Sequence, residues 1–347
     1  MKISVSSLIG LFFSILVFTS CDKEEQNISP TQIDITSFSE VIESGFTVHW
    51  KTNIENLSSL IIEVSINNDF NLIFKEVQVL ELDHLSQVVG GLKGATTYYI
   101  RLNAKTMDGI EYQSEISEVQ TFYKTIPVEF ITSDGFKISG SLRFLESFPG
   151  KRPGIIFMHE LTRSSNSWNN EKVVTQFISQ NYACLLFDFR GHGKSDYYPL
   201  PVEFSQVEPY IFQTRYDVIA AVEYMKSSDI VFSEKIALIG GSLGGIMAIA
   251  GSGFEEVKAA VALSASQLGI YSIFPDLEMR SIFFIAGEMD VTEYNHFAEQ
   301  ATAMNQAAEE PKKLKIIAGN SDHGTRLLQS TGLNEEIVDW INLNMNE

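Results

Sequence analysis

The sequence predicts a mostly parallel sheet with helices on both faces, preceded by a small all-β sandwich. Three observations carry this. From about residue 125, continuous Ile/Leu/Val/Phe runs alternate with helical segments, the pattern of strands buried on both faces. Between residues 31 and 124, short alternating runs are separated by turn clusters instead. The 347-residue chain also exceeds a common single-domain length, and its 44% hydrophobic content is enough for more than one core.

The first twenty residues carry one positive charge at Lys2, then an apolar run from Leu8 to Phe18, then small polar residues. This is signal-peptide anatomy, too short for a spanning helix with ordinary flanks. Phe18-Thr19-Ser20-Cys21 resembles the lipobox of bacterial lipoproteins, with Phe where Leu is usual. The resemblance implies a lipid anchor on Cys21 and a place in the bacterial outer membrane. The following Asp22-Lys23-Glu24-Glu25 resembles the signal that sends some such proteins to the outer cell surface. Residues 21–30 are polar, lack apolar periodicity and read as a tether.

Gly45 to Lys51 and Leu60 to Ile66 alternate as half-buried strands do, and Asn67-Asn68-Asp69 supplies a turn. Leu92 to Leu102 resembles the sixth strand of fibronectin type III domains, with Tyr98 at the tyrosine corner and Trp50 as the second-strand core tryptophan. Such a resemblance implies a spacer or a glycan- or protein-binding module, with no role in catalysis.

After Lys124-Thr125-Ile126-Pro127 a hairpin is expected from Phe130 to Phe144, turning at Ser133-Asp134-Gly135. Strands are then expected at Gly154 to Met158, Ala183 to Phe187, Ile236 to Ile239, Val257 to Leu263, Ile282 to Ile285 and Leu314 to Ile317. Helices are expected near Glu171 to Gln180, Thr214 to Lys226 and Asn334 to Leu343.

The chemistry rests on Gly240-Gly241-Ser242-Leu243-Gly244-Gly245, between a strand and a helix former. A G-x-S-x-G in that context is a nucleophile elbow, where only glycines fit beside the serine. The bare pattern arises by chance in roughly one chain in ten of this length, so its context supplies most of the weight. A serine hydroxyl needs a base, and the base needs an acid to orient it. Asp290 and His323 follow two later strands in the required order, at the carboxyl ends where open α/β sheets place their sites. Asp322 and Glu288 are rival acids, but Asp322 directly precedes the histidine and Glu288 lies earlier in the loop. His159 and His192 fall in turns after earlier strands, His49 and His84 in the all-β part, and His296 in a helical stretch.

These motifs together resemble the α/β-hydrolase superfamily over about 220 residues. The loop Met158-His159-Glu160-Leu161 resembles its dienelactone hydrolase branch, where an acid is followed by an apolar residue. That resemblance makes Leu161 the second backbone donor of an oxyanion hole whose first is Leu243. Glu160 either orients the serine or the substrate, or forms an ion pair with Arg163 or Arg190. Phe187 to Ser195 matches the turn after the fourth strand of the superfamily and reads as structural. Dienelactone hydrolases proper have cysteine where this chain has Ser242, which points toward esterase or peptidase relatives.

The segment Ser264 to Arg280 is too short for a helical cap, so an open site taking short acyl groups, and a small-molecule or polysaccharide ester as substrate, is expected. The alternatives are a serine peptidase of the prolyl oligopeptidase type and a non-catalytic binding lipoprotein on a hydrolase scaffold. A net charge of −19 without a Lys/Arg run excludes nucleic acid as a partner. With two cysteines, Cys21 and Cys184, there is no disulfide framework. No metal-ligand spacing or phosphate loop appears, and no cofactor is expected.

Overall fold

The computed structural model describes residues 32–169, 171–270, 274 and 276–345. Cys21 and the apolar run before it lie outside them. Among the described residues, alternation sets the architecture of the first region. In the strand TYYIRLNAKT, every second side chain from Tyr98 to Thr106 is buried. One antiparallel sheet has the order β1 (Ile33–Ile42), β2 (Gly45–Thr52), β5 (Ser86–Gly90). The other runs β4 (Ile73–Gln78), β3 (Leu57–Ser65), β6 (Thr97–Thr106), β7 (Glu111–Gln113), with β8 (Ser117–Gln120) also paired to β6. Val48 and Trp50 of one sheet share a core with Leu60, Ile62, Tyr98 and Ile100 of the other. Tyr98 is fully buried, and its hydroxyl accepts the Lys93 N–H at 2.9 Å, five residues upstream.

The second region is one eight-stranded sheet. Its strands are β9 (Lys124–Ile131), β10 (Lys137–Phe144), β11 (Arg152–Met158), β12 (Ala183–Phe187), β13 (Val231–Gly241), β14 (Val257–Leu263), β15 (Ile282–Gly287) and β16 (Lys312–Ile317). They lie in the order β16-β15-β14-β13-β11-β12-β10-β9. β11 to β16 are mutually parallel, and the β9–β10 hairpin closes the far edge antiparallel. The other edge, β16, carries Lys312, Lys313 and Lys315, charges that oppose further strand pairing.

Among the described residues five α-helices cover the sheet: α1 (Lys172–Ser179), α2 (Val207–Ser227), α3 (Leu243–Gly251), α4 (Phe297–Ala307) and α5 (Leu333–Met345). Side-chain alternation along the strands divides the core in two. Ile236 and Leu238 of β13 pack with α2, α3 and α4, whereas Ala237 and Ile239 pack with α1 and α5. The strands and helices expected from the apolar runs are all present. α2 starts seven residues before the expected Thr214, because Pro209 falls in its first turn, where a missing N–H breaks no helical bond.

Candidate active site

β13 runs out at Gly241 and α3 begins at Leu243, leaving Ser242 at φ 52° and ψ −110°. A non-glycine residue there is strained by about 1–3 kcal/mol, and its neighbours hold it in place. A Cβ on Gly240 would lie 2.1 Å from the Gly244 carbonyl oxygen, and one on Gly244 2.2 Å from that of Met158. The Ser242 N–H donates to the Leu263 carbonyl at 2.8 Å, and its own carbonyl accepts Ile246 N–H at 2.9 Å. Leu243, as the first helical residue, has an N–H without an intrahelical partner, directed to the carboxyl edge of the sheet.

Asp290 follows β15 and is 5% exposed. Its carboxylate accepts the His323 Nδ1–H at 2.9 Å and 3.1 Å from its two oxygens. An ionised carboxylate only accepts, so this contact puts a proton on Nδ1, and in the neutral ring Nε2 then carries the lone pair. The Phe297 ring, 4.6 Å from the imidazole, packs against it. The rival acids are occupied elsewhere: Glu288 accepts Gly319 N–H at 2.7 Å, and Asp322 accepts the Asn320 amide at 3.2 Å. Among the described residues the Ser242 hydroxyl has no hydrogen-bond partner, a common state for a substrate-free site.

The loop after β11 is fixed by two imidazoles. His159 Nδ1–H donates to the Glu160 carbonyl at 2.7 Å, while its Nε2 accepts Phe189 N–H at 3.0 Å. Burial pushes this imidazole down to about 4, so it is neutral. His192 Nε2 bonds to the Leu161 carbonyl. Because the peptide unit is planar and trans, fixing the Glu160 carbonyl also fixes the direction of the Leu161 N–H.

The Glu160 carboxylate is buried, and Oε1 accepts both Thr325 N–H (2.8 Å) and Thr325 Oγ1–H (2.7 Å). Oε2 lies 3.8 Å from Arg163 Nε. The alternative pairing with Arg190 does not form. Arg190 is fully buried between Asp134 and Asp217, bonded to both, and these bonds outweigh desolvation to keep it charged. Burying a guanidinium requires such pairing, and its bonds go to Asp134 and Asp217 rather than to Glu160.

Sequence reading passed over Ser264 and Thr325. Gly324 N–H donates to Ser264 Oγ at 3.0 Å, immediately beyond His323. The available signal was position: Ser264 directly follows β14 at the carboxyl edge.

Around the site, Phe204 before α2 stacks on Tyr294 of the acid loop, with centroids 4.4 Å apart. Both remain exposed, as do Met289 and Val291. Ala265, Ile270 and Met279, in the link between β14 and β15, are buried in the core beside α3 and form no roof. His49 bonds to Ser39, His84 pairs with Glu81, and His296 sits just before α4 without a side-chain bond to the helix end. Burial pushes the Cys184 thiol up, out of the reactive range. Among the described residues no group of three His, Cys, Asp or Glu side chains is placed to hold a metal ion.

A family model described as serine aminopeptidase, S33, matches residues 151–289, which include Ser242 and stop just before Asp290. Among solved structures, the α/β-hydrolase GrgF from Penicillium sp. sh18 is 18% identical, over 65% of this chain and 100% of its own, with a TM-score of 0.50. DcsB, solved with a substrate analogue, is 17% identical over the same shares, also at 0.50. A dienelactone hydrolase from Anabaena variabilis is 18% identical over 65% of this chain and 96% of its own, at 0.46. A search of the curated proteins returns no match. The family match and the likeness to GrgF at a TM-score of 0.50 give the second region the α/β-hydrolase fold.

Proposed function

We propose that the chain is a serine hydrolase of carboxylic esters with short acyl groups, using Ser242 as nucleophile, His323 as general base and Asp290 as its orienting acid. The observation that carries this reading is the Asp290–His323 pair, at the same sheet edge as the strained Ser242 turn. Ser242 Oγ attacks the acyl carbon while its proton passes to His323 Nε2. Leu161 and Leu243 N–H groups hold the oxyanion. Collapse breaks the bond to the alcohol oxygen, which takes the proton from His323 as it leaves. A water deprotonated at the same nitrogen then attacks the acyl-enzyme, releases the acid and restores Ser242.

Ala265, Ile270 and Met279 of the link between β14 and β15 are buried in the core, which supports an open site that offers a long acyl chain little apolar cover. Each methylene left in water forfeits about 0.8 kcal/mol of binding. Acetyl, butyryl and palmitoyl esters of one leaving group, run beside aminoacyl anilides, test this. kcat/KM should be highest on acetyl or butyryl; a palmitoyl maximum overturns the open-site reading. The description of the matched family favours a second reading, peptide-bond hydrolysis, and anilide turnover exceeding ester turnover would select it.

The rest of the reading concerns location. The Tyr98 corner bond supports a fibronectin type III-like sandwich acting as a spacer. The lipobox at Cys21 supports an anchor in a bacterial outer membrane, with the catalytic region outside the cell, where a polysaccharide ester is accessible. Mass spectrometry of the N-terminal peptide from a Gram-negative host should find Cys21 acylated; an unmodified mature terminus would overturn the anchor.

A further inference from the structure

We propose that Ser264, Glu160 and Thr325 form a positioning clamp for His323. The inference rests on reading His323 as the general base. The clamp acts on the backbone just after the imidazole and does not touch substrate.

The sheet order makes such a device necessary. β16 and β13 are separated by β14 and β15, so His323 must be carried back across three strand spacings, about 14 Å, to meet Ser242. The loop is fastened at three points along this path. At β15, Met289 N–H donates to the Asn320 carbonyl at 2.8 Å. At β14, Ser264 Oγ accepts Gly324 N–H at 3.0 Å. At β11, beyond the serine's own strand, Glu160 Oε1 accepts both the N–H and the hydroxyl of Thr325.

Three further features mark these bonds as specific. The clamping residues are all buried: Ser264 is 0%, Thr325 3% and Glu160 5% exposed. The carboxylate is also wedged between the two loops it joins. A Cβ on Gly324, at φ +60°, would lie 2.5 Å from Glu160 Oε1, and one on Gly241, the residue before Ser242, 3.3 Å from the same atom. Ser264 itself sits at φ 48°, where glycine would be free of strain, so the strained backbone is kept together with the one hydroxyl that reaches Gly324. Since the Ser242 hydroxyl has no partner among the described residues, these bonds must hold the two reacting groups in register before substrate arrives.

The test uses the full chain and an acetyl ester, with Ser264→Gly, Thr325→Val and Glu160→Leu set against the conservative Thr325→Ser and Glu160→Gln. A misplacement of about 1 Å costs on the order of 10²-fold in rate. Ser264→Gly should therefore lower kcat at least about tenfold, with KM within about twofold and no fall in Tm, because glycine relaxes the backbone. Thr325→Val and Glu160→Leu should lower kcat similarly, and Thr325→Ser and Glu160→Gln, which keep the hydroxyl donor and the acceptor oxygen, should restore most of it. Wild-type kcat in folded Ser264→Gly and Thr325→Val would overturn the clamp, as would an effect confined to KM. If Thr325→Val or Glu160→Leu fails to fold, Ser264→Gly with the two conservative variants decides the matter alone. Ser242→Ala, run alongside, separates the two failures. If it is inactive while the clamp variants are normal, only the clamp falls; if it stays active, the serine-hydrolase reading falls and takes the clamp with it.

Discussion

The serine loop and the histidine loop meet at one sheet edge but are held there in different ways. Ser242 is set by its own stretch of chain: four flanking glycines, a strand behind it and a helix ahead. His323 is set by side chains from three other loops, Asp290, Ser264 and Glu160, with Phe297 packed on its ring. The difference follows from topology. The proposed nucleophile, between consecutive elements, is placed by local geometry, whereas the proposed base, returning across the sheet, has to be fastened to what it passes.

Substitution at Ser242 is expected to break the comparison most sharply. Ser242→Gly removes the nucleophile and relaxes the φ of 52°. kcat should drop by about 10⁵-fold, while urea unfolding should show a gain of about 1 kcal/mol. Lower stability would mean that the elbow is not strained as described. Asp290→Asn leaves the carboxyl shape but no longer enforces the Nδ1 tautomer, so a loss of about 10⁴-fold with little change in Tm is expected; steady-state kinetics with a melting curve would check it.

Two glycines in the histidine loop sharpen the contrast. Gly319 (φ +66°) has open space where a Cβ would go, whereas Gly324 (φ +60°) has the Glu160 carboxylate. Alanine at either position adds backbone strain of about 1 kcal/mol or more. Only Gly324→Ala should also lower kcat, by about 10²-fold, because it alone displaces the clamp. Equal kinetics for the two variants would show that strain, not contact, matters there.

The last effect expected is in stability against pH and leaves the chemistry of the site aside. His159 titrates at about 4 in the folded chain, against roughly 6.5 unfolded. Between those values the unfolded chain binds the extra proton, so stability is full above about pH 6.5 and falls as pH drops toward 4, by up to about 3 kcal/mol. Denaturant midpoints across that range should follow this slope, and His159→Gln should flatten it.

The same local and non-local division decides what the sequence discloses. The apolar runs of β11 to β15 and the strand-turn-helix around the elbow glycines are contiguous features, and each was legible; the order serine, acid, histidine was legible as a proposal, and the structure brings Asp290 and His323 together. Tyr98 and Trp50 were picked out by a resemblance to fibronectin type III strands, and both are buried. What was not legible depends on loops distant in sequence coming together. Glu160 was open to orienting the serine or the substrate or to pairing with Arg163 or Arg190; it does lie 3.8 Å from Arg163, but its bonds to Thr325, 165 positions away, leave no trace in composition. Ser264 looked like an ordinary residue after a strand; only its positive φ and the Gly324 N–H beside it give it a role. Pro209 hid the first turn of α2, since a proline reads as a breaker unless the helix is known to start just before it.

The central claim, that Ser242 is the nucleophile activated by His323, is tested most directly by fluorophosphonate labelling followed by peptide mapping. The account predicts one phosphonyl adduct, on Ser242, formed much more slowly in His323→Ala and absent in Ser242→Ala. An adduct on another serine, or unchanged labelling of Ser242 without His323, would contradict it.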